Sequence, residues 1–124
     1  MSATIKNDLG RIVIDEKVIA TIAAESAQAS YGIVGLVARN TRDGIFELLK
    51  FNNKTKGVNV TIYDDIVDVD LNVMMEFGVR IAVVAENIIE KVKYNIEKNT
   101  NLKVNSVNII VQSIRVEWGD NEKY

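Results

Sequence analysis

The sequence predicts an α+β protein: a single two-layer domain, with two main helices packed on one face of a mixed, mostly antiparallel sheet. Three observations carry this. Val58, Val60 and Ile62 alternate with Asn59, Thr61 and Tyr63; beyond Asp64-Asp65 the alternation resumes, with Val67, Val69, Leu71, Val73 and Met75 set against Asp68, Asp70, Asn72 and Met74. Strict period-2 patterns joined by two turn-prone residues predict an antiparallel hairpin with one wet face. Ile81, Ala85, Ile88, Val92 and Ile96 then form the apolar stripe of a long helix reaching about Asn99, while Glu86, Glu90, Lys91, Lys93, Glu97 and Lys98 fall mainly on its other side. The third observation is the order of elements: strand, helix, strand, short helix, two strands, long helix, strand.

Taken in order, residues 1–8 are polar and read as a loose tail, and Arg11 to Ile14 as a short strand. Asp15 is placed to cap a helix, and Glu16 adds negative charge to its first turn. Ile19, Ile22, Ala23 and Ala27 follow helical spacing, and the many alanines make a thin face able to approach a sheet closely. Gly32 is placed as the helix stop, and Ile33 to Ala38 as the next strand. Ile45, Phe46, Leu48 and Leu49 suit two turns of helix, and Asn52 to Gly57 a loop. After the hairpin and long helix, Asn101 is suited to a left-handed cap. Val104 to Trp118 reads as a last strand. Its alternation changes parity between Val111 and Ile114, which predicts a bulge near Gln112-Ser113. Residues 119–124 read as a second loose tail.

The 124 residues are enough for one core, since a domain of this size removes roughly two-thirds of its unfolded surface from water. A formal net charge of -2 does not suggest a polyanion partner for the whole surface. There is no Cys and no His, which removes disulfides, thiol nucleophiles, and the commonest general base and transition-metal ligand. No apolar run approaches the ~20 residues that span a bilayer, and the polar N-terminus lacks the apolar core of an export signal. The expectation is a cytoplasmic protein without cofactor or metal, and not an enzyme.

Two places are candidate sites. Arg39, Arg42, Lys50, Lys54 and Lys56 share one stretch with Phe46 and Phe51, opposed only by Asp43 and Glu47. Such a segment suits RNA, anionic lipid or an acidic protein; the plainer reading is a solvated loop with a small amphipathic helix. The second place is the last strand, where Ile114, Val116 and Trp118 lie on a segment long enough to outrun its neighbour and leave an open edge. Asp68 and Asp70 share a face, but no Gly-centred turn accompanies them as a calcium loop requires, so they read as a solvated sheet face. Gly32-Ile33-Val34-Gly35 matches a GxxG loop only in its letters; it lacks the basic residues and the second helix of that motif, and nucleic acid is not the expected partner.

The order of several short pieces resembles a known family. These are Gly10-Arg11-Ile12-Val13-Ile14, Val18-Ile19 with Ile22-Ala23, Tyr31-Gly32-Ile33-Val34-Gly35, Lys56-Gly57-Val58, Phe77-Gly78-Val79-Arg80-Ile81, Val92-Lys93, Thr100-Asn101-Leu102 and Val107-Asn108-Ile109. Over roughly residues 9–116 they resemble the bacterial alkaline shock protein family, also called the envelope stress response family. Asn101 stands where such proteins usually have Gly, and both residues tolerate the left-handed turn. The resemblance implies a non-enzymatic cytoplasmic protein of the cell-envelope stress response, acting through protein–protein interaction near the membrane. It further implies a protein partner such as a membrane anchor, a homo-oligomer as an option, peripheral location at the inner face of the membrane, and no direct insertion. The alternative it carries is a regulator that binds an enzyme of fatty-acid synthesis.

Overall fold

A computed structural model describes residues 1–39 and 44–116. The described elements run β1 (Ser2–Asn7), β2 (Gly10–Asp15), α1 (Glu16–Gln28), β3 (Ile33–Arg39), β4 (Phe46–Leu48), β5 (Val58–Tyr63), β6 (Ile66–Glu76), α2 (Ile81–Thr100) and β7 (Lys103–Arg115), with a 3₁₀ helix, Phe51–Gly57, ahead of β5. The class is α+β, as the sequence predicts.

β6 is the central strand. β5 pairs antiparallel with its first half, from Tyr63 opposite Ile66 to Val58 opposite Leu71. β3 pairs antiparallel with its second half, where Leu36 faces Val73 and Ile33 faces Met75. β4 lies outside β3, also antiparallel. β7 occupies the other side of β6 and runs parallel to it over the whole strand. Parallel neighbours need a long crossover, and α2 supplies it.

Period 2 puts Val67, Val69, Leu71, Val73 and Met75 on one face of β6, and all five are fully buried. They join Ile19, Ala23, Ala24 and Ala27 of α1 and Val84, Ile88, Val92 and Ile96 of α2 in one core. Each fully buried Val, Leu or Ile contributes on the order of 1.5–3 kcal/mol. Packing therefore outweighs helix propensity, whose differences are mostly below about 1 kcal/mol per residue, in fixing which face of α2 turns inward.

The local signals act where expected. The Asp15 carboxylate accepts the Lys17 N–H at 2.9 Å and caps α1. Asn101, at φ 63°, closes α2 with its N–H on the Glu97 carbonyl. The β6–β7 register slips between Val111 and Ser113, so the parity change is indeed a bulge; a second slip lies at Asn105.

Five sequence readings are corrected. Residues 2–7, read within a loose tail, form β1 and pair with β2. Asn7 Oδ1 accepts both the Leu9 and Gly10 N–H groups to make the turn, and Ala3 is buried. Charged turn residues had masked this second hairpin. The segment at 45–49, read as helix, contains β4, and Leu49 donates to the Leu36 carbonyl at 2.8 Å. Short apolar runs do not distinguish the two periods. Residues 52–57, read as a loop, lie within the 3₁₀ helix. Gly32 has φ +89°, but α1 ends earlier, at Gln28 with Ala29 as its C-cap, and Gly32 serves the turn into β3. The last strand ends at Arg115, so Val116 follows it; Trp118 and residues 119–124 lie outside the described residues.

Candidate functional site

The basic segment is divided by the fold. Arg39 ends β3, and Arg42 lies outside the described residues. Lys50 is exposed just before the 3₁₀ helix. Lys54 turns inward: its side chain is 9% exposed and its ammonium sits 3.1 Å from Glu25 of α1. The ion pair ties the 3₁₀ helix to α1, which gives Lys54 a structural task. Lys56 is exposed on the rim of a shallow groove of about 330 Å³, which Glu16, Lys17, Thr55 and Val58 also line. Both signs of charge border that groove, and of the described side chains Lys50, Lys54 and Lys56, Lys54 turns inward while the other two are exposed.

The last strand is different. Among the described residues β7 pairs only with β6, so its other edge carries no partner strand. Ile114 is half-buried opposite Met75, and Val116 is exposed just beyond the strand. At the start of the edge the Val104 N–H is taken by the Glu97 carboxylate at 2.9 Å, so α2 covers that donor.

Across the sheet face remote from the helices, β7 is stitched to β6 by polar side chains. Asn105 and Ser106 both donate to Asp68 Oδ1, at 2.9 and 2.7 Å. Asn108 donates to Asp70 and Gln112 to Asn72, each at 2.8 Å, and Arg115 pairs with Glu76. Sequence reading found the wet face of β6 but not this ladder, because alternation gives a residue's face and not its neighbour across the sheet. Asp68 and Asp70 are spent as acceptors in the ladder. No group of three or more metal-type side chains converges among the described residues.

The Ser106 hydroxyl, then the Asn105 amide, hold the Asp68 carboxyl below the ordinary aspartate range by favouring its charged form. A lowered folded-state pKa gives stability that is present above the unfolded value and lost as pH falls through the folded one. Ser106→Ala is expected to raise the Asp68 pKa toward the ordinary range and to move this loss to higher pH. Carboxyl carbon NMR titration of both proteins measures it; an unchanged Asp68 titration would contradict the assigned cause.

A two-layer α+β domain with an open-edged terminal strand and a polar outer face is thus what the chain builds. It belongs to the alkaline shock protein 23 family, of cell envelope-related function, whose family model matches residues 4–116. This agrees with the resemblance carried by the motif order. The chain is 38% identical over 117 residues to the uncharacterized protein YloU of Bacillus subtilis (strain 168), covering 94% of this chain and 98% of that one. It is 37% identical over 117 residues to the uncharacterized protein Spy1614 of Streptococcus pyogenes serotype M6, covering 94% and 97%. Among solved structures, MamM-CTD superimposes with a TM-score of 0.48 at 11% identity, over 83% of this chain and 100% of that one, a likeness too slight to bear on function.

Proposed function

We propose that this chain is a non-catalytic interaction domain of the cell-envelope stress response, working at the inner face of the membrane through a protein partner that adds a strand to the free edge of β7. The observation that carries the reading is that edge: thirteen residues, paired on one side only among the described residues. Unpaired N–H and C=O groups on such an edge are a template for another strand, which supplies main-chain affinity without a pocket. The polar ladder beside it keeps the surrounding surface wet, which suits a contact that forms and dissolves. The family's envelope-related function supports the setting. No helix among the described residues is long and apolar enough to cross a membrane.

Site-specific photo-crosslinking in living bacteria tests this. A photoreactive residue in place of Ile110, exposed in the middle of β7, is expected to give discrete protein adducts, whereas one in place of Glu90, exposed on α2, is not. No adduct at Ile110, or the same adducts at both positions, would overturn the reading.

A further inference from the structure

We propose that the outer edge of β2 is a self-complementary docking strand, which pairs antiparallel with β2 of a second copy of this chain about a two-fold axis at Val13. This edge is separate from that of β7, and the inference does not rest on the function proposed above.

β1 and β2 form a sheet of their own, and among the described residues β2 pairs only with β1. A sheet of two strands is marginally stable by itself. Every residue of β2 except the half-buried Ile14 is exposed, and Ile12 and Val13 are each 52% exposed. An exposed apolar edge is a template for another strand. One hydrogen bond shows which backbone groups of β2 face that edge. The Thr4 N–H donates to the Asp64 carbonyl at 3.2 Å, and so points away from β2. Thr4 and Val13 are direct partners, so theirs is a non-hydrogen-bonded pair, and the N–H and C=O of Val13 point outward. Those of Arg11, two residues away, point the same way.

The charges on the strand select its own copy as the occupant. Arg11 stands directly opposite Lys6 of β1, a pairing of like charges that is destabilising. Neither makes an ion pair among the described residues. Asp15 lies on the same face of β2 as Arg11 and likewise makes no ion pair among the described residues; its carboxylate accepts the Lys17 N–H. Turned against itself about Val13, β2 sets Arg11 of each copy opposite Asp15 of the other, and Ile12 opposite Ile14. Centred on Ile12, the pairing would set Arg11 against Val13; centred on Ile14, it would set Asp15 against Val13. The Val13 register alone joins the opposite charges, and in it the two Val13 residues exchange their outward N–H and C=O groups. Four strands result, β1 and β2 from each copy, which passes the three-strand threshold for independent stability. Ala3, Ile5, Ile12 and Ile14 of both copies then share one face.

Sedimentation equilibrium of the full chain, from micromolar to near-millimolar protein, is expected to show a reversible dimer. Arg11→Glu places acid against acid twice and is expected to raise the dimer Kd at least about tenfold. Asp15→Lys places base against base and is expected to do the same. An equimolar mixture of the two variants restores both opposite pairs, and is expected to dimerise nearly as well as the wild type. Should Asp15→Lys, which gives up the α1 cap, not fold, introduced cysteines test the register in a chain that has none. Val13→Cys would face its own copy at about 5.5 Å between Cα atoms, within disulfide reach. Ile12→Cys would be displaced from its copy by two residues, about 7–8 Å, and out of reach. Oxidation is expected to give covalent dimer at Val13→Cys and little at Ile12→Cys. A strict monomer would overturn the proposal, as would a dimer indifferent to Arg11→Glu or crosslinking at Ile12→Cys equal to that at Val13→Cys.

Discussion

Gly57→Ala is expected to destabilise the domain by at least about 2 kcal/mol, within the range of core overpacking. A Cβ on Gly57 would lie 2.7 Å from the Val37 carbonyl oxygen and 3.2 Å from both Leu36 Cβ and Leu49 Cδ1. The first of these is backbone, which cannot rotate aside, so β3 would have to move away from the 3₁₀ helix. Gly10→Ala is the matched control, because nothing lies within 4 Å of its Cβ position. It is expected to change stability by no more than about 0.5–1 kcal/mol, the range of an unstrained Gly-to-Ala change. Urea denaturation of the two variants beside the wild type compares them directly. Equal midpoints would show that the close approach at Gly57 is not a constraint.

Ile88→Ala is expected to cost about 2–5 kcal/mol, the range for truncating a large buried aliphatic side chain. Ile88 is fully buried in the middle of α2 and belongs to the stripe Val84, Ile88, Val92 and Ile96. Ile81→Ala, on the same helix, is expected to cost less than about 1 kcal/mol, because Ile81 is exposed and leaves little cavity behind. Differential scanning calorimetry separates the two. A loss at Ile81 as large as that at Ile88 would place the helix face wrongly.

That pair of variants also marks the limit of the sequence reading. Periodicity located α2 and most of its stripe, but it assigned Ile81 to the core, whereas the core begins at Val84. The hairpin of β5 and β6, the cap at Asn101 and the bulge at Gln112 were all legible, because each is written in a few adjacent residues. What depends on distant residues was not legible. The parallel pairing of β7 with β6 joins segments separated by a helix. Lys54 reads as a surface charge until Glu25 is brought across from α1. β4 was missed because three residues carry too little alternation to distinguish strand from helix. Of the candidate site, the sequence named Ile114, Val116 and Trp118 as an edge; among the described residues β7 pairs only with β6 and ends at Arg115, and Trp118 lies outside them. Tyr31-Gly32 and Phe77-Gly78 were visible only as turn markers, because nothing local shows that their aromatic side chains remain exposed.

The placement of β7 bears on the order in which a growing chain can assemble. β5 and β6 are adjacent in sequence, so their hairpin can close as soon as both have left the ribosome. β7 is the last described strand, and it covers the whole of the remaining side of β6. Until residue 115 emerges, that side stays unpaired and the core face of β6, five apolar residues long, lacks the cover of Val104 and Val107. Translation stalled after α2 would therefore release a polypeptide with its central strand bare along one flank, the form most prone to pair with a copy of itself.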